Sequence, residues 1–78
     1  MSEIILFHKW QCPYCRKVRD FMEEKGIEIP LKDITESSEI AGELISIGGK
    51  RQVPCLVIDG KPIYESSDII AWLDENYS

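Results

Sequence analysis

Seventy-eight residues with 9 Lys and Arg against 14 Asp and Glu, a net charge of −5, fit a single domain spanning residues 1–78 and argue against a nucleic acid as partner, since phosphate backbones call for clustered cations. A chain this short buries only roughly 60% of its unfolded surface, which leaves room for one site but no second lobe. Three cysteines beside 44% hydrophobic residues suit an ordinary core better than a secreted disulfide scaffold, and Met1-Ser2-Glu3 leads into the first strand without a signal or membrane-length segment, so a cytoplasmic monomer without membrane contact is expected.

Glu3 to His8 holds four consecutive apolar residues, Ile4 to Phe7, and such a run without alternation predicts a strand covered on both faces. Lys9-Trp10-Gln11 then leads into Cys12-Pro13-Tyr14-Cys15. Pro13 suits the first position of a helix, where its missing N–H leaves nothing unsatisfied, so Cys12 becomes the cap facing the free amides of the first turn. Those amides, the helix dipole and the nearby cations Lys9, Arg16 and Lys17 favour a thiolate. Cys15 falls in line with Val18 and Met22 on the apolar face of a helix over Pro13 to Lys25, with Phe21 also inward and Gly26 as the stop. Cys12 reads as an exposed attacker and Cys15 as a sheltered resolver one turn away, within disulfide reach. Lys17, Arg19, Asp20, Glu23 and Glu24 read as a solvated face.

Ile27 to Lys32 alternates strictly, and Pro30 cannot donate to a ladder, so this strand belongs at a sheet edge. Thr35 to Ile47 predicts a second helix, capped by Thr35 or Ser37, packing through Ile40, Ala41, Leu44 and Ile47 and ended by Gly48-Gly49. Val53 to Ile58 is the next strand, and Asp59-Gly60 signals a tight hairpin into Lys61 to Glu65. Ser66 or Ser67 caps a last helix with Asp68 in its first turn and a stripe of Ile69, Ile70, Leu73 and Tyr77. The order βαβαββα gives an α/β fold, a mixed four-stranded sheet with helices on both faces. Pro54 opens a strand that belongs at the centre, which a cis Val53–Pro54 bond would explain.

Cys12-Pro13-Tyr14-Cys15 after Lys9, Gln52-Val53-Pro54 before the hairpin, and Ser66-Ser67-Asp68 at the last helix together resemble the glutaredoxins, thioredoxin-fold thiol oxidoreductases. Val53 to Val57 and Tyr64-Glu65-Ser66 are also similar to the glutathione-binding N-terminal domain of glutathione transferases. The resemblance implies that Cys12 is the nucleophile and Pro54 the cis proline facing it. It further implies that the Val53 backbone pairs with the cysteinyl part of glutathione, and that Lys9 with Gln52 or Arg51 meets the glycine carboxylate. The γ-glutamyl end would lie at Ser67 and Asp68 by the glutaredoxin pattern, or at Glu65 and Ser66 by the transferase one. Free amides at a helix start bind a carboxylate, and Asp68 could hold the ammonium. Tyr64-Glu65 stands where glutaredoxins carry Gly-Gly.

The activity so implied is glutathione-dependent reduction of protein–glutathione mixed disulfides and protein disulfides, with glutathione as co-substrate and such proteins as partners. A non-catalytic module holding glutathione or a protein, and a redoxin reduced by a flavoenzyme, are the alternatives; a full glutathione transferase is not expected, because no helical second domain precedes Ser78. No metal is expected, although His8, Cys12, Cys15 and Cys55 make a Cys₃His set on paper. Cys55 reads as a small core residue and His8 as a packed or solvated side chain. Trp10 and Tyr14 are candidates for walls of the thiol groove, and Trp72 for partial core.

Overall fold

The computed structural model describes residues 3–77. Four strands, β1 (Ile4–His8), β2 (Leu31–Asp33), β3 (Cys55–Ile58) and β4 (Lys61–Ile63), alternate with three helices, α1 (Pro13–Lys25), α2 (Ser38–Gly48) and α3 (Ser66–Tyr77), in the expected order βαβαββα. The sheet runs β2-β1-β3-β4, so the uninterrupted apolar runs of β1 and β3 occupy its centre and the proline-led β2 its edge. β1 pairs parallel with β2, Leu6 opposite Leu31, and antiparallel with β3, Leu6 opposite Leu56. β3 turns back into β4 through Asp59-Gly60, where both residues have positive φ, as a tight hairpin requires.

Strand alternation sorts the core into two layers. Leu6 and Leu56 point to one face, where Val18 and Met22 of α1 meet Ile69 and Leu73 of α3. Phe7, Cys55 and Val57 point to the other, against Leu44 of α2 and Ile34. Cys55 is fully buried there, as expected of a core residue. Helices therefore cover both faces, which is why a continuous apolar run suits both central strands.

Element boundaries moved where a backbone group found a different partner. β2 starts at Leu31 and not Ile27, because the first bond to β1 runs from the Leu6 N–H to the Pro30 carbonyl at 3.0 Å; Ile27 and Ile29 are buried by packing without a ladder. Ser37 caps α2, accepting from the N–H groups of Glu39 and Ile40, whereas Thr35 is tied to the Asp33 carboxylate by its N–H and hydroxyl. β3 starts at Cys55 and β4 ends at Ile63. In α3 the first helical carbonyl belongs to Glu65, which accepts from Ile69 N–H at 2.9 Å, so Ser66 and Ser67 lie inside the helix and neither is its cap. Tyr77 is 39% exposed and packs edge-on to the half-buried Trp72 instead of joining the buried stripe.

Candidate active site

α1 begins as its sequence demands. Cys12 has extended backbone angles and sits at the cap, Pro13 occupies the first turn, and Gly26 at φ 69° ends the helix while the Ile27 N–H bonds the Met22 carbonyl at 2.8 Å. At the cap the Cys12 sulfur accepts from the Cys15 N–H at 3.4 Å. On its other side it donates to the Val53 carbonyl at 3.9 Å, across 41 residues of sequence. The Val53–Pro54 peptide is cis. These contacts correct the expectation of an exposed attacker: Cys12 is only 8% exposed, because capping draws its sulfur under the first turn and against the loop before β3.

The same geometry sets its acidity. Burial alone raises the Cys12 pKa, but the Cys15 N–H, the Cys15 thiol, the Tyr14 N–H and the Lys9 charge outweigh it, and the net shift is downward. Lys9 thus acts as expected. Arg16 and Lys17 do not: both are exposed, and Arg16 lies 3.8 Å from Asp20 one turn on. The Cys15 N–H is the largest of the lowering influences, ahead of the Cys15 thiol, the Tyr14 N–H and the Lys9 charge. Cys15 is fully buried, and burial first, with its neighbour Cys12 adding, pushes its thiol up to about 12. One sulfur is primed and the other held protonated three residues away.

Pro54 is buried beside this pair, and a cleft of ≈ 310 Å³ opens next to it, lined by Tyr14, Gln52, Val53, Pro54, Tyr64, Glu65 and Ser66. Six of the residues singled out from sequence come together in it. Lys9, Arg51, Ser67 and Asp68 stand outside the lining, with Arg51, Ser67 and Asp68 exposed. Tyr64 was missed as a lining residue. Its hydroxyl donates to the Lys50 carbonyl at 3.4 Å, Lys50 sits 4.7 Å over its ring, and a Cβ built on Gly48 overlaps its hydroxyl. The departure from Gly-Gly at this position was the available signal.

Trp10 does not wall the cleft. It is 58% exposed, stacked under the Arg19 guanidinium at 4.6 Å and met edge-on by the buried His8 ring at 4.7 Å. His8 is a packed residue whose Nδ1 receives Arg19 Nη1 at 3.0 Å; since a guanidinium only donates, the imidazole proton lies on Nε2. Burial and the Arg19 charge lower the His8 pKa against a weaker pull from Asp33. His8, Cys12, Cys15 and Cys55 do not assemble into a metal-holding group among the described residues. Nor, among them, is any helix long and apolar enough to cross a membrane.

A capped Cys-Pro-Tyr-Cys turn facing a cis-proline loop on a β2-β1-β3-β4 sheet defines a thioredoxin-fold dithiol protein. The chain belongs to the family of glutathione S-transferase N-terminal domains and glutaredoxins: residues 6–78 match the family described as "Glutathione S-transferase, N-terminal domain". It is 33% identical to Glutaredoxin-1 of Saccharomyces cerevisiae over 87% of this chain and 68% of that protein. It is 32% identical to the chloroplastic Glutaredoxin-C4 of Oryza sativa subsp. japonica over 90% of this chain, and spans 55% of that protein's length. Among solved structures, glutathione transferase Omega 3C from Trametes versicolor superposes with a TM-score of 0.81 at 25% identity, covering 97% of this chain and 35% of that one.

Proposed function

We propose that the protein is a glutathione-dependent thiol–disulfide oxidoreductase acting through Cys12 and Cys15. The observation that carries this reading is the position of the Cys12 sulfur at the mouth of a helix, between the Cys15 N–H and the carbonyl of Val53, itself a lining residue of the cleft. The Cys12 thiolate attacks the glutathione sulfur of a protein–glutathione mixed disulfide. A bond forms between Cys12 Sγ and that sulfur, the original disulfide breaks, and the protein thiolate leaves and takes a proton from water. A second glutathione thiolate then attacks the glutathione sulfur of the adduct, glutathione disulfide departs, and Cys12 returns as thiolate. Its lowered pKa favours it both as attacking thiolate and as leaving group.

The cleft lining supports the transferase-type placement of the γ-glutamyl end. Glu65 caps α3 and Ser66 is its first helical residue, so free amides are offered to the carboxylate and the Glu65 carboxylate to the ammonium. Of the other lining residues, Gln52 would meet the glycine carboxylate and the Val53 carbonyl the cysteinyl N–H, with Tyr14 and Tyr64 against the ligand. A reducing, cytoplasmic setting suits a dithiol of this kind.

The test is an assay of the pure protein on a glutathione mixed disulfide, with either glutathione or thioredoxin reductase plus NADPH as reductant. Turnover with glutathione is expected, lost in Cys12→Ser and kept in Cys15→Ser. Turnover only with the flavoenzyme makes it a redoxin of another pathway, and turnover with neither makes it a binding module.

A further inference from the structure

Arg19 reads from sequence as one charge on a solvated face, yet it is half-buried and makes more side-chain bonds than any other residue described. Nη1 donates to His8 Nδ1 at 3.0 Å and to the Lys9 carbonyl at 3.3 Å; Nη2 donates to the Trp10 carbonyl at 3.3 Å; the guanidinium plane covers the Trp10 ring. The Lys9 carbonyl in turn accepts from the Cys12 N–H at 3.3 Å. Arg19 follows Cys15 by four residues, which places both on one side of α1. One side chain therefore ties the end of β1, the loop before Cys12 and the helix turn after Cys15.

We infer that Arg19 is a positioning residue for the resolving step: its bonds to His8 and to the Lys9 and Trp10 carbonyls fix its guanidinium, which presents a positive charge to Cys15 as its thiolate forms. The inference rests on the oxidoreductase reading and deepens it. In that step a Cys12–glutathione adduct is already present. Cys15 gives its proton to solvent, its thiolate attacks Cys12 Sγ, the Cys12–Cys15 bond forms, and glutathione leaves as a thiolate that solvent protonates. Two sulfurs exchange partners with no net oxidation. A backbone bond at Lys9 and, more weakly, the Arg19 charge favour the Cys15 thiolate against the burial and the Cys12 sulfur that raise its pKa, while Cys12 is served by Lys9 and the helix amides.

The experiment loads Cys12 of the full chain with glutathione disulfide and follows glutathione release against pH by quenched mass spectrometry, in wild type, Arg19→Gln and Arg19→Lys. Loss of this neighbouring charge shifts the profile upward in Arg19→Gln, and release at neutral pH slows by roughly threefold for each pKa unit gained, because the more basic thiolate is scarcer but a better nucleophile. Arg19→Lys, which keeps the charge without the fork, recovers the profile's midpoint. Cys12 alkylation in the reduced protein keeps its wild-type pH dependence in both. Release from Arg19→Gln with the wild-type rate and profile overturns the inference, as does an equal shift in Cys12 alkylation, which would indicate loop collapse. An adduct that never forms in wild type defeats the oxidoreductase reading first and this one with it.

Discussion

The Cys12 sulfur and the Val53 carbonyl stand 3.9 Å apart although they lie 41 positions apart in sequence, so the cap of α1 and the cis-proline loop form one surface. The contact suits only the protonated thiol, because a thiolate has nothing to donate. The Cys15 N–H at 3.4 Å serves the thiolate. Ionisation therefore shifts the sulfur's partnership from β3's side to the helix, and leaves the Val53 carbonyl without this donor.

The two thiols should separate cleanly by pH. Cys12 lies below the ordinary thiol value and Cys15 at about 12, so iodoacetamide at neutral pH should label Cys12 alone. Labelling should fall as pH drops through the Cys12 value. Peptide mapping after timed alkylation reads both sites, and labelling of Cys15 at the rate of Cys12 would contradict the burial that distinguishes them.

Gly48 and Tyr64 should behave as one unit. Gly48→Ala places a Cβ where the Tyr64 hydroxyl lies, so the ring must leave its bond to the Lys50 carbonyl and the lining of the cleft moves. The expected outcome is a higher KM for glutathione with Cys12 alkylation unchanged. Gly42→Ala in the same helix meets nothing within 4 Å and should stabilise the fold by about 0.5–1 kcal/mol. Steady-state kinetics and urea melts on the two variants distinguish a local effect from general helix propensity.

Much of this was legible because it followed from period and punctuation. Ile4 to Phe7 and the run after Pro54 could only be central strands, and Cys12-Pro13 could only open a helix. What escaped was set by partners distant in sequence. Nothing local shows that Leu6 takes the Pro30 carbonyl, that Glu65 supplies the first carbonyl of α3, or that the Val53 loop closes over Cys12. Arg19 looked like its charged neighbours until the loop folded back to it. Its spacing of four from Cys15 was the one clue, and that spacing also fits a surface pair.

The cap of α2 gives a direct check on one such boundary. Ser37 Oγ accepts from two N–H groups, so Ser37→Ala should cost about 0.5–2 kcal/mol. Thr35→Ala loses an exposed bond to Asp33 and should cost less. Equal losses in urea denaturation would mean that the turn before α2 and its cap contribute alike.

Alkaline stability reports the buried thiols. Burial raises Cys15 to about 12 and Cys55 to about 11 from the ordinary 9.0, so in both cases the folded chain binds the proton more tightly than the unfolded one. Their contribution to stability is then fully present below about pH 9, where both states are protonated, and is lost as pH rises through about 11 and 12. Cys55→Ala removes one of the two titrating groups and leaves a small cavity beside Phe7 and Leu44, so it should lower stability at pH 7 yet flatten the decline above pH 9. Urea melts of the reduced protein from pH 7 to 10.5 measure both effects. A decline as steep in Cys55→Ala and Cys15→Ser as in wild type would assign the alkaline transition to other groups.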